Sequence, residues 1–379
     1  EISCSLVGSE MCIRDSSYAD DNFLYALTNP GAMPCDEEFF NLTNGKYGLD
    51  AKYLLCNGPF HVSKWTEKTS VKLAKNNEYN GESSVSPSSV TFYINNDDSE
   101  VADKMNSVTY DVAFLSSSQF SSIENKKDLN SVAVQNVTYS FIFNQNDNNY
   151  RNKNMRLAFC RSCDTSSLFD SQSDISKADG IVPPSCKIGG EDYRNGNAAE
   201  LLSYDETLAK KNFNDALLEL GSSSVETTIL CTEQYESFVK QMVQKLQKTL
   251  GVKFVSTVKV VSESDLEAAV NDGNYSVAFY PFKAKSSFAG EIIEGFDQNN
   301  IFGYESDVLS QKIRNIKNNS GSLEGERSAV ADAENYLVSE AVIMPVFYEN
   351  SYFVTSKKTS GIYFYSSADN VFFINSKKS

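Results

Sequence analysis

The chain has 379 residues, with 34 Lys and Arg against 50 Asp and Glu, a formal net charge of −16. At roughly 100–200 residues per domain this length predicts two or three domains, and 41% hydrophobic with 12% aromatic residues is enough for real cores rather than wholesale disorder. The acidity argues against nucleic acid as a main partner and against docking on an anionic membrane surface, since both need a basic face; the longest apolar stretches, 139–143 and 277–282, are strand length, short of the roughly 18 residues of a membrane-spanning helix.

In chain order, residues 1–16 read EISCSLVGSEMCIRDS. They have no basic n-region, long apolar core or small-residue cleavage site, so they are not a signal peptide. They resemble translated adapter read-through and are expected to be foreign, with the native N-terminus and any export signal missing. Cys4 and Cys12 leave the cysteine count with this segment. The remaining six are Cys35, Cys56, Cys160, Cys163, Cys186 and Cys231. Cys35 and Cys56 flank a short acidic, helix-like stretch and form a candidate disulfide, whose loop closure would stabilise the fold by roughly 3 kcal/mol.

Residues 57–149 read mostly as strands and turns, with strands over 58–66, 70–76, 89–95, 110–116 and 132–144. His61, the single histidine, falls in an alternating run and reads as an ordinary strand residue; any Ser-His-Asp or Cys-His machine would have to use it. Cys160-Arg161-Ser162-Cys163 is a lone C-x-x-C late in an apparent helix over 155–163. A redox pair belongs at a helix N-terminus, and a Cys₄ zinc site needs a second such pair. Packing or a structural bridge is therefore the expected role.

From 150 to about 344 helices and strands alternate. Ser203-Tyr204-Asp205-Glu206 fits a capping box with Ser203 as N-cap, opening a helix to Leu220 with Gly221 at its C′ position. A strand over 225–231 follows, then an amphipathic helix with Phe238, Val239, Met242, Val243, Leu246 and Leu250 on one stripe, ended by Gly251. Next come a strand over 253–261, a helix over 264–271 and a strand over 275–282. The pattern predicts a largely parallel α/β sheet. Helices over 307–317 and 322–339 precede a strand over 342–355 and a short β tail. Two lobes are expected, with crossings near 144–150 and 345–348. Four N-x-S/T patterns, at Asn41, Asn136, Asn274 and Asn318, read as coincidence in an Asn-rich chain.

The order of several blocks resembles a known family. Asn57-Gly58-Pro59-Phe60 through Trp65, then Val71 to Asn76, then Tyr79-Asn80-Gly81, resembles the "NGPY-x-x-x-x-W … L-x-x-N-x-x-Y-x-G" block of the family 5 extracellular solute-binding proteins of peptide ABC importers. Tyr139 to Asn144 followed by Tyr150 to Ala158 is similar to that family's strand and its "F-x-D-x-R-V-R-x-A" element. Val182-Pro183-Pro184, Tyr204-Asp205 through Gly221, Thr249 to Val252 and Met344-Pro345-Val346 follow in the family's order.

The resemblance implies an α/β, two-lobed, type II periplasmic-binding-protein-like fold, incomplete at the N-terminus. Residues 17–55 would end a small extra domain, 56–150 would be the later half of lobe 1, 151–344 lobe 2, and 345–379 a return to lobe 1. The implied function is the extracellular substrate-binding component of an ABC importer, not an enzyme. It would bind peptides or a related small solute between two lobes that close on it, with no cofactor or metal and no nucleic acid partner. The chain would be a monomer that meets a membrane permease, lipid-anchored to the outer face of the cytoplasmic membrane.

By the same resemblance Tyr139, Phe141 and Tyr348 lie near the cleft floor, Phe282 falls at the family's tryptophan position, and Lys285 falls near the aspartate that grips a peptide's amino group. That charge reversal implies a solute carrying negative charge near Lys285. Two other readings stand beside this one: a thiol oxidoreductase using Cys160 and Cys163, and a non-functional truncated product.

Overall fold

The structure, a computed structural model, describes residues 3–6, 12–15, 27, 32–81, 84–94, 98–165, 168–169, 173–284, 286–319, 321–365 and 370–379. The chain divides into two units, Glu1–Ile94 and Asn95–Ser379.

In the first unit, β1 (Ser3–Leu6) and β2 (Cys12–Asp15) pair as an antiparallel hairpin. Helix α1 (Glu37–Leu42) starts where the Asp36 carboxylate accepts a hydrogen bond from the Phe39 amide at 2.7 Å, which satisfies one of the donors every helix start leaves over. Strands β3 (Phe60–Thr66), β4 (Ser70–Lys75) and β5 (Ser89–Tyr93) form an antiparallel meander. The Asn76 side-chain amide donates to the Gly58 carbonyl at 2.9 Å and ties the entry of this sheet to its first hairpin. His61 is an exposed residue of β3. Cys35 and Cys56 are free thiols, so the expected bridge is not formed. Both still lie beside one ring: a hydrogen bond from Cys35 raises the Tyr47 pKa, and the charges of Cys35 and Cys56 add to it.

The second unit opens with α2 (Asp98–Asn106), β6 (Val112–Ser116), α3 (Ser117–Ser122) and β7 (Leu129–Val134). Then come β8 (Val137–Phe143), α4 (Lys153–Arg161), β9 (Ile175–Lys177) and the two-residue strands β10 (Lys187–Ile188) and β11 (Glu191–Asp192). Helix α5 (Glu206–Leu220), β12 (Val225–Thr232), α6 (Glu236–Leu250), β13 (Phe254–Val261), α7 (Glu263–Asn271) and β14 (Val277–Lys283) follow. The last stretch holds α8 (Gly290–Glu294), α9 (Asp307–Asn318), α10 (Leu323–Ser339), β15 (Ile343–Glu349) and β16 (Ser351–Ser356).

These strands make a six-stranded sheet in the order β13-β12-β14-β8-β15-β9 and a three-stranded sheet in the order β6-β16-β7. The large sheet is mixed rather than largely parallel. β12 runs parallel to β13 and β14, whereas β8 runs antiparallel to both β14 and β15. The reason is that β8 enters the sheet from β7 rather than from a crossover helix. All but one of its seven residues are buried, as expected for a central strand covered on both faces.

One face carries Phe141, Phe143, Phe279 and Phe347 against Phe159 of α4, Phe213 of α5 and Phe238 of α6. The other carries Ile142, Ala278 and Ile343 against Leu266 of α7, Ile313 of α9 and Leu337 of α10. Burying each large apolar side chain is worth about 1.5–3 kcal/mol, so these two faces dominate the stability of this sheet. The amphipathic stripe of α6 is buried as its spacing predicts, and Gly251 takes φ 79° after it. The cap of α5 differs by two residues from expectation. Asp205, not Ser203, accepts from the Leu208 amide at 2.8 Å, because a carboxylate next to the first turn meets the helix dipole directly.

The sheet crossings also differ. Residues 132–144 form two strands in two sheets, β7 and β8, and the switch falls at Gln135-Asn136. Residues 342–355 likewise divide into β15 and β16, with the switch at Asn350. The large-sheet lobe therefore begins before 151, and the return to the small sheet comes at 351 rather than 345.

Candidate functional site

Strand direction brings several chain ends together. Because β12, β13, β14 and β15 all run opposite to β8, Thr232, Val261, Lys283 and Glu349 finish at the edge where Val137 begins. The same edge sends both crossings to the small sheet. The carboxyl ends of strands at a point of reversed order are where open α/β sheets bind ligands.

The crossings are stitched to each other. The Gln135 side-chain amide donates to Asn350 Oδ1 at 2.7 Å and to Ser176 Oγ at 2.9 Å. The Asn350 backbone amide donates to the Asp174 carbonyl at 2.7 Å. The Asp174 carboxylate in turn accepts from the Ser118 amide in the first turn of α3. Side chains at the two crossings thus link segments of the large sheet to α3 beside the small sheet.

Beside the crossings stands a polar group on an aromatic floor. Tyr139 of β8 lies 4.4 Å from the Tyr235 ring, 5.1 Å from Phe347 and 5.5 Å from Phe279, centroid to centroid. The Tyr235 hydroxyl donates to Glu349 Oε1 at 2.8 Å, and the Gln234 side-chain amide donates to that hydroxyl at 3.1 Å. Burial raises the Glu349 carboxyl above its ordinary value, while hydrogen bonds from Tyr235 and Gln234 and the charge of Lys283 act the other way. Burial likewise raises the Tyr139 and Tyr235 hydroxyls, so both stay neutral phenols. Beyond the ends of β12 and β13 a cavity of about 540 Å³ is lined by Thr232, Glu233, Gln234, Val261, Glu263 and Asp265 among others. Its charged lining residues are all carboxylates.

The residues singled out from the sequence separate here. Tyr139 is part-exposed and belongs to the edge just described. Phe141 is fully buried against Phe159 and Phe279. Phe282 stacks on Phe296 at 5.7 Å within the other face's core. Tyr348 is 3% exposed, and its hydroxyl accepts from the Asp179 amide at 3.0 Å. Phe141 and Tyr348, expected near the cleft floor, and Phe282, expected at the family's tryptophan position, are all buried, because cross-strand neighbours and covering helices close over them. Lys285 lies outside the described residues. Tyr235, Gln234 and Glu349 were missed, although a single acid ending the apolar run Ile-Met-Pro-Val-Phe-Tyr-Glu of β15 was a usable signal.

Both cysteines of the C-x-x-C pair are buried. Burial pushes Cys160 and Cys163 up to about 12, and the Cys163 thiol donates to the Met242 carbonyl at 3.7 Å. Nucleophilic cysteines need the opposite shift, so the thiol oxidoreductase reading finds no support. Among the described residues no group of three or more His, Cys, Asp or Glu side chains could hold a metal ion, and no helix is long and apolar enough to cross a membrane.

Known proteins share this architecture. The dipeptide-binding protein DppE of Bacillus subtilis is 23% identical over 348 residues, 90% of this chain and 63% of that protein; the chain thus spans less than two thirds of that relative's length. The substrate-binding domain of an oligopeptide ABC transporter from Bacillus anthracis superposes with a TM-score of 0.78 at 18% identity, covering 97% of this chain and 73% of its own. Listeria monocytogenes OppA bound to peptide gives 0.76 at 20% identity, with the same coverage. These likenesses identify the fold. The family model for the bacterial extracellular solute-binding proteins, family 5 Middle, matches residues 15–302, and the chain belongs to that family.

Proposed function

We propose that the protein is the binding component of an ABC importer, taking a peptide or a related small solute between its two lobes and presenting it to a membrane permease. The observation that carries this reading is the hinge. Two adjacent crossings, at Gln135-Asn136 and at Asn350, join two sheets and are hydrogen-bonded to each other, the arrangement hinge-bending closure on a ligand requires. The relatives named for dipeptide and oligopeptide binding support peptide as the ligand class. The protein acts by binding, with no reaction of its own. It works as a monomer outside the cytoplasmic membrane, held to the outer face by a lipid anchor.

Isothermal calorimetry with a panel of two- to five-residue peptides tests the reading. One-to-one saturable binding, accompanied by compaction in small-angle scattering, is the expected result. Absence of binding by every peptide, from a chain that melts cooperatively, would overturn it.

A further inference from the structure

The short strand β9 pairs only with Phe347, Tyr348 and Glu349 of β15. One further bond runs from the Ala178 amide to the Val346 carbonyl at 3.1 Å. Residues 343–345 therefore have no partner strand on that side, and Pro345 has no amide to offer one. Residues 199–205 run beside this open edge as a strap anchored at both ends. The Ala199 amide donates to the Asp179 carbonyl at 2.6 Å, and the Asp205 amide donates to the Arg161 carbonyl, at the end of α4, at 3.0 Å. Between the anchors the amides of Leu202, Ser203 and Tyr204 have no acceptor among the described residues.

The strap, β15 and the end of α4 enclose a cavity of about 210 Å³. Its walls are mostly apolar, with Leu201, Leu202, Ile343, Met344, Val346 and Cys163 among them. Leu201, Leu202 and Met344 are only part-buried and keep apolar surface uncovered. Lys177 also lines the cavity. It stands opposite Phe347 in register and so shares that residue's face of the sheet. It is exposed, and it forms no ion pair or side-chain hydrogen bond among the described residues. Asp164 is the single acid of this lining, and a second ammonium stands beside it, because Lys245 donates to the Asp164 carbonyl at 2.8 Å. The cavity flanks the first half of β15, whereas Glu349 and the crossing at Asn350 lie at that strand's other end.

An apolar cavity of about 150 Å³ holds benzene, so this one has room for a ring or a chain of about six carbons with a polar end. Apolar walls favour a body that leaves water, and an ammonium without a partner is a charge-assisted donor suited to an anion. We propose that the cavity is a second ligand site, which takes a small monocarboxylate with an apolar body. Lys177 receives the carboxylate, and Leu202 and Met344 cover the body. The inference goes beyond the peptide-binding reading and does not depend on it, because every residue of the site belongs to the large-sheet lobe.

Calorimetry and ligand-observed NMR of the full chain with phenylacetate, hexanoate, their primary amides and acetate test it. At least one of the two longer acids should bind one-to-one with a constant of about 0.1–1 mM, the range for a ligand of about ten heavy atoms. Its amide, which lacks the charge, and acetate, which lacks the apolar body, should bind about tenfold or more weaker. Lys177→Gln should bring acid and amide within about twofold of each other. Leu202→Trp, which fills the cavity, should abolish binding of both; if it does not fold, Lys177→Gln decides the matter, since Lys177 is exposed. Failure of both acids to bind, or equal binding of acid and amide by the wild type, overturns the inference. So does a folded Lys177→Gln protein that keeps the full preference, or a folded Leu202→Trp protein of unchanged affinity. Failure of the peptide titrations above would overturn the importer reading and leave this site standing.

Discussion

Arg194 and Glu334 form a bidentate ion pair inside the large-sheet lobe. The guanidinium donates to both carboxylate oxygens, to Oε2 at 2.9 Å. The Tyr193 hydroxyl and the Val182 amide each donate to the same carboxylate at 3.0 Å. One side chain of α10 thereby gathers the loop around 180–182 and the β10–β11 hairpin region. Gly180 sits against the pair so closely that an added Cβ would clash with both Arg194 and Glu334.

Removing one partner of such a pair leaves the other charge buried and unmatched. Glu334→Ala should therefore destabilise the protein by about 3–5 kcal/mol, whereas replacing both residues together with apolar ones of similar volume should cost much less. Urea unfolding midpoints of the two single variants and the double variant measure this. Equal losses for Glu334→Ala and the double replacement would contradict it.

Glu349 sets a pH dependence of the opposite kind. Burial raises its carboxyl above the ordinary 4.5, so folding favours the protonated form. Its contribution to stability is fully present below the ordinary value and is lost as pH rises through the raised one. The groups facing it are Tyr235 and Gln234, with the charges of Lys283 and Asp174 near. Glu349→Gln, isosteric with the protonated acid, should melt higher than wild type near pH 7, and the two should converge near pH 4. Thermal scans at both values check this; a gap that stays constant would contradict the shift. A residue that costs stability at neutral pH is a common mark of a functional position.

The thiols should fall into two classes. Burial holds Cys160, Cys163 and Cys186 at about 12 and Cys231 at about 11, whereas Cys35 is exposed. With a disulfide reagent at pH 8, peptide mapping should find Cys35 modified quickly. The four buried cysteines should be modified only as fast as the protein unfolds. Rapid labelling of Cys160 or Cys163 in the native protein would restore the case for thiol chemistry.

Much of the fold was legible locally. The stripe of α6, Gly251 behind it and the alternation of strands and helices after 220 all express preferences that act within a few residues, and the structure keeps them. The ordered blocks around Asn57–Trp65, Tyr139–Asn144 and Met344–Val346 carried the family. The sheet switches were not legible. Val132 to Asn144 is strand-like throughout, and nothing in its periodicity says that Val134 and Val137 belong to different sheets; only the partners available on each side decide that.

The candidate site shows the same division more sharply. The sequence by itself determined the family, the types of element and the acidic charge balance. Those depend on composition and short-range spacing. Only the tertiary structure decided that Phe141, Phe282 and Tyr348 are packing residues, and that Glu349 meets the Tyr235 hydroxyl across 114 positions of chain. Burial and hydrogen bonding between distant segments follow from which strands pair and in which direction. A central strand that enters antiparallel, as β8 does, gathers side chains that no local pattern brings together.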